Sequence, residues 1–105
     1  MTLPNQDKID SLKAEYGEIN AYPVAGYEFI CRCPTDAIYK KFRTQIMDEN
    51  KRMNASEELV RACVVWPERE EFSSILKKRP GIVETLLGEL TDWAGLVKSV
   101  EKKEL

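Results

Sequence analysis

The stretch YEFICRCPTDAIYKKF, residues 27–42, changes its period halfway. Up to Cys33 it alternates, with Tyr27, Phe29, Cys31 and Cys33 on one face of a strand and Glu28, Ile30 and Arg32 on the other. Beyond Pro34 apolar residues return every fourth position, at Ile38, Phe42 and Ile46, with Tyr39 and Met47 at the flank of that stripe. Lys40, Lys41, Thr44, Asp48 and Lys51 are left for water. Pro34 ends the strand, and Thr35 is placed to cap a helix over residues 36–52 through its hydroxyl. A strand feeding a helix in this way predicts an α+β chain.

The same stretch sets two cysteines one residue apart. On a strand they are neighbours on a face that already carries Tyr27 and Phe29, and free cysteine behaves as a small buried apolar residue. A zinc site needs about four ligands from Cys, His or carboxylates. The chain has no histidine, and Cys63 lies in a different segment. A redox pair is more often spaced as CxxC. Cys31 and Cys33 therefore read as core lining, with neither a metal nor a cofactor expected.

Upstream, NQDKIDSLKAEYG puts Ile9, Leu12 and Tyr16 on one helical face and stops at Gly17. Two short apolar runs, Ile19 to Tyr22 and Tyr27 to Cys33, flank Pro23-Val24-Ala25-Gly26 and predict a β-hairpin. Pro23 cannot donate to a ladder, so the first strand must end there or lie at an edge. Downstream, EELVRACVVWP predicts a helix capped at Asn54 or Ser56 and ended by Pro67. Its residues Leu59, Val60, Cys63 and Val64, extended by Ala62, Val65 and Trp66, are apolar almost all round, which marks a central buried element. PEREEFSSILKKRP carries Glu68, Glu70 and Glu71 in its first turn and Lys77, Lys78 and Arg79 in its last, matching a helix dipole, with Phe72, Ile75 and Leu76 inward. The last helix has the longest apolar stripe: Val83, Leu86, Leu87, Leu90, Trp93, Ala94 and Val97. The expected architecture is one domain over 1–105, α+β and mainly α: an N-terminal helix (1–17), a β-hairpin (18–33), a compact bundle of about four helices (35–97) and a tail (98–105).

Composition narrows function by exclusion. Lys and Arg total 16 against 18 Asp and Glu, a net charge of -2, which gives no electrostatic reason to expect nucleic acid or an anionic membrane. The YKKFR cluster reads as a solvated helix face, because Asp36, Asp48 and Glu49 dilute its charge. No basic start precedes an apolar run, and no segment approaches the ~18 apolar residues that span a bilayer, so the chain is read as cytoplasmic. An odd count of 3 cysteines argues against a secreted disulfide framework. There is no histidine to act as a base near neutral pH, no GxxxxGK phosphate loop and no GxSxG elbow. The expectation is a protein that is not an enzyme.

The order of LKAEYGEI, YEFICRCPTDAIYKKF, LVRACVVWPEREEF and KKRPGIVETLLGELTDWAGL resembles the small tail assembly chaperones of long-tailed bacteriophages and prophages, and related uncharacterised phage proteins. The carrying features are a hairpin whose second strand ends in Arg-x-Pro-Thr, an apolar-Val-x-Ala-Cys-Val-Val-aromatic-Pro segment, and a C-terminal helix closing on Ala-Gly, over residues 12–97. The resemblance implies a protein that binds the hydrophobic tape measure protein, or another tail assembly protein, in the host cytoplasm and leaves the finished virion. Self-association stays open. Two other classes remain beside it: a structural virion or tail completion component, and a small DNA-binding regulator, which would need a basic recognition helix that the mixed charge of 36–52 does not supply. For a client helix, the expected docking face contains Leu86, Leu90 and Trp93, bordered by Trp66 and Phe72. Plain core is the competing role for both tryptophans.

Overall fold

The computed structural model describes residues 3–96 and 102–105. In chain order the elements are α1 (Gln6–Tyr16), β1 (Ile19–Val24), β2 (Tyr27–Arg32), α2 (Asp36–Ile46), α3 (Arg52–Cys63), β3 (Val64–Trp66), α4 (Arg69–Lys78) and α5 (Ile82–Trp93). The fold is α+β and mainly α. Met1 and Thr2 of the N-terminal segment, Val97 of the last stripe, and residues 98–101 of the tail lie outside the described residues. Residues 102–105 carry no regular structure.

Local chemistry explains the first half of the chain. The Asn5 side chain accepts the Lys8 amide at 2.9 Å and opens α1, and Gly17, at φ 80, closes it with its N–H on the Lys13 carbonyl. β1 and β2 pair antiparallel from Ile19↔Arg32 to Val24↔Tyr27. The loop is two residues, Ala25 and Gly26, at φ 52 and 83, the positive pair that a tight hairpin with right-handed twist requires. Sheet order β1-β2-β3 leaves β1 at an edge, where Pro23 is tolerated. Thr35 caps α2 as its position predicts, its Oγ1 accepting the Ile38 amide at 3.2 Å.

The expected helix over 57–66 is corrected. It ends at Cys63, and Val64–Trp66 form a third strand paired with β2 through Ile30↔Trp66 and Cys31↔Val64, with Val65 as the extra residue of a bulge. The physical cause is the inner edge of β2, whose backbone would be buried unpaired; Val64 and Val65 are β-branched, and Pro67 biases Trp66 toward extended backbone. The cap is corrected too. α3 starts at Arg52, behind a turn in which Asp48 accepts the Asn50 amide on its carboxylate and the Lys51 and Arg52 amides on its carbonyl. This turn ends α2 at Ile46, short of the expected 52.

The main core joins Phe29 and Cys31 of β2 to Phe42, Leu59, Val60, Cys63, Phe72, Ile75, Leu76, Ile82, Val83, Leu86 and Leu90 from the four later helices. Leu12 and Ile30 are buried outside that cluster. α1 covers the second face of the sheet there, where Ile9, Ile19, Ala21 and Ile30 line a common cleft. Among the described residues no helix is long and apolar enough to cross a membrane.

Candidate functional site

A hollow of about 450 Å3 lies where α1, α2, α3, β3 and the start of α4 converge. Its floor is Ala62, Val64, Val65, Pro67 and Phe72, and Tyr16, Lys41, Glu58, Arg61, Glu68 and Arg69 wall it. A second hollow of about 170 Å3 runs between α2 and α3 over Ile38, Phe42, Gln45 and Leu59. Both are lined by Lys41, Glu58 and Ala62, so the two form one groove along the α2–α3 seam. Helical spacing produces it. Ile38, Lys41, Phe42 and Gln45 share one face of α2, Glu58 and Ala62 stand one turn apart on α3, and Ala62 is too small to close the gap.

The walls are held in place. Arg61 donates from Nε to Glu57 at 3.0 Å and from Nη1 to the Ser73 hydroxyl at 2.8 Å, with its guanidinium 5.8 Å from the Phe72 ring centroid, so one side chain ties α3 to α4. Gln45 donates to Glu58 across the seam. Arg32 lies 5.1 Å over the Tyr16 ring and sets that wall. The Tyr16 phenol is held above its ordinary range, first by its hydrogen bond with Glu15 and then by burial. Lys41, Glu68 and Arg69 form no ion pair among the described residues, so the rim presents both signs to an incoming group.

The thiols stand apart from this groove. Burial pushes Cys31 and Cys63 up to about 12, and it raises Cys33 as well, with Glu18 adding to the effect. Thiols in this state are protonated and poorly nucleophilic at neutral pH. Among the described residues no three His, Cys, Asp or Glu side chains are grouped to hold a metal ion.

Three of the five residues of the expected docking face are sealed from solvent. Leu86 and Leu90 are 0% exposed and Phe72 is 2% exposed, because α5 turns its stripe onto α3 and the sheet. Trp93 is half-buried at the margin, edge-to-face with Tyr22 at a ring distance of 6.3 Å. Phe72 packs edge-to-face on Phe29 at 5.5 Å while its other side floors the groove. Trp66, half-buried opposite Ile30, falls between the groove residues Val65 and Pro67, and its buried indole N–H meets no acceptor among the described residues. Of the five expected residues, Phe72 lines the groove and Trp66 adjoins it. Sequence reasoning missed Tyr16, Lys41, Glu58, Arg61 and Ala62, and the only signal for them was a small residue within a helix otherwise flanked by charge.

Among solved structures, the uncharacterised protein rbstp2171 from Bacillus stearothermophilus is similar over 90% of this chain and 99% of its own, with a TM-score of 0.75 at 21% identity. That likeness concerns the fold. No curated protein matches the sequence. Residues 12–103 match the family described as Domain of unknown function (DUF6848), and with most of its length inside that match the chain belongs to the DUF6848 family.

Proposed function

We propose that this chain is a non-enzymatic assembly chaperone of long-tailed bacteriophages or prophages, whose client is the hydrophobic tape measure protein. The resemblance of residues 12–97 to such chaperones suggests the client, and the continuous groove along the α2–α3 seam is the observation that supports a binding role. α3 has 12 residues and runs roughly 18 Å at about 1.5 Å per residue, room for about three turns of a client helix. Apolar side chains repeating at i, i+3, i+4 and i+7 on that helix meet Ala62, Val64 and Val65, while its polar flanks meet Lys41, Glu58, Glu68 and Arg69. Burial supplies the affinity, since a net charge of -2 gives little steering. The protein acts in the host cytoplasm and is absent from the finished particle.

Co-expression with a tape measure protein tests this. The wild-type chain keeps the client soluble and co-purifies with it, and Ala62→Lys, which fills the groove from an exposed position, abolishes both while the protein stays folded. A client that aggregates equally with and without the wild-type chain would refute the chaperone role. Recovery of the chain in stoichiometric amount from purified particles would replace it with a structural virion component.

A further inference from the structure

The face of the sheet under α1 holds two buried hydrogen-bond donors that the fold leaves unpaired. Trp66 is the ladder partner of Ile30, and Arg32 stands two residues beyond Ile30 on β2, so the indole and the guanidinium rise from one face on neighbouring strands. Diagonal neighbours of this kind are within reach of each other's long side chains. The Nε1–H of Trp66 and the Nε–H of Arg32 are both buried, and neither meets an acceptor among the described residues. Arg32 forms no ion pair there either. Of the two carboxylates beside Tyr16 in sequence, Glu15 hydrogen-bonds to the phenol and Glu18 acts on the Cys33 thiol. Buried donors nearly always have partners, and an unpaired guanidinium is the costlier of the two to leave without one.

Tyr16 separates these donors from the groove. Its ring lies 5.1 Å from the Arg32 guanidinium and also walls the hollow of about 450 Å3. It is the last residue of α1, and Gly17, at φ 80, follows it as the joint to β1. The rim sets Lys41, Arg61 and Arg69 against Glu58 and Glu68, an excess of one cation. An anion that enters the hollow and displaces the Tyr16 ring reaches a cation and two N–H donors that have no other partner. A carboxylate suits them, because one oxygen accepts from the guanidinium and the other from the indole.

We infer that Arg32 and Trp66 form a carboxylate pocket gated by Tyr16, and that the client helix fills it with an Asp or Glu on the edge facing Tyr16. Resting on the groove as the client site, this anchor adds one acidic residue to the apolar pattern of the client.

Proton–nitrogen correlation spectra test the pocket without any client. The chain has 2 tryptophans, so each indole N–H gives its own signal. Phenylacetate, an apolar body with one carboxylate, shifts the Trp66 indole and the Arg32 Nε–H saturably and leaves Trp93 in place. Neutral phenylacetamide moves none of them. Arg32→Gln weakens the probe at least ~10-fold, the scale of a lost charge-assisted pair, and Arg32→Lys, which keeps the charge and removes the fork, does not restore it. Tyr16→Ala binds the probe more tightly, since no ring has to move. An unchanged Trp93 signal and circular dichroism spectrum establish that each variant is folded. No shift of the Trp66 indole, which leaves its N–H to water, an equal shift with phenylacetamide, or undiminished binding by Arg32→Gln would overturn the pocket, and weaker binding by Tyr16→Ala would overturn the gate. Co-expression with a tape measure protein then tests the anchor: wild type keeps the client soluble and Arg32→Gln does not. Equal rescue by both would overturn the acidic anchor and leave the client site standing, whereas rescue by neither, with the probe still bound by wild type, would remove the client and keep the pocket.

Discussion

The apolar stripe of α5 and the seam between α2 and α3 are made of similar side chains and have opposite fates. On α5, Leu86 and Leu90 meet other parts of the chain on every side and disappear from the surface. Along the seam, Ala62 leaves the helices apart, and the charged groups of Lys41 and Glu58 stay in water above an apolar floor. The longest stripe is therefore the core, and the accessible apolar surface occurs where a short side chain interrupts packing. Periodicity tells which residues a helix turns inward. It does not tell whether the rest of the chain will cover them.

The contrast can be broken most sharply by truncation. Leu90→Ala should cost about 3 to 5 kcal/mol in urea unfolding, the lost transfer energy plus a residual cavity. Ala62→Lys should stay within about 0.5 kcal/mol, since it is exposed and sets a lysine four residues after Glu58. Equal losses at the two positions would mean that the seam is as closed as the core.

Next in size is a response to alkali. Cys31 and Cys63 share the core with Leu86 and Leu90, and each is raised from 9.0 to about 12 in the folded chain. Their stabilising contribution is complete below the unfolded value and is lost as pH rises toward the folded one, because the unfolded chain releases the proton first. Between pH 9 and 10 each thiol should remove on the order of 1 kcal/mol. Denaturant midpoints for wild type and Cys31→Val over that range measure it, and an identical slope in both proteins would show that the Cys31 thiol is not sealed in the core.

The smallest effect belongs to the two-residue turn of the hairpin, Ala25 and Gly26. Ala25 holds φ 52, a left-handed conformation that costs an L-residue about 1 to 2 kcal/mol and glycine almost nothing. Ala25→Gly should raise stability by about 0.5 to 1 kcal/mol after glycine's larger entropy loss. A drop in melting temperature would show that the loop tolerates Ala25 without strain.

Much of the fold was legible because its cues are local. Asn5 and Gly17 bound α1, Ala25-Gly26 turn the hairpin, Thr35 caps α2, and the acidic and basic ends of α4 match its dipole. The failures have a common cause. Val64-Val65-Trp66 fits a helical stripe and a strand equally well by composition, and the choice falls to a β2 edge more than thirty residues upstream in sequence. The expected α5 docking face failed in the same way, since covering Leu86 and Leu90 depends on where α3 and the sheet come to rest.

By itself the sequence determined which segments are helix or strand wherever a cap, a turn or an alternating period acts within a few residues. It also determined that Cys31 lies beside Phe29 on the apolar face of a strand; Cys33, expected on the same face, falls beyond the end of β2, outside the core and only half-buried. Tertiary structure alone decided that 64–66 joins the sheet, that the strongest stripe is sealed, and that a groove remains at Ala62. Backbone pairing and close packing are settled between distant segments, and their free energy is not written in any single window of residues.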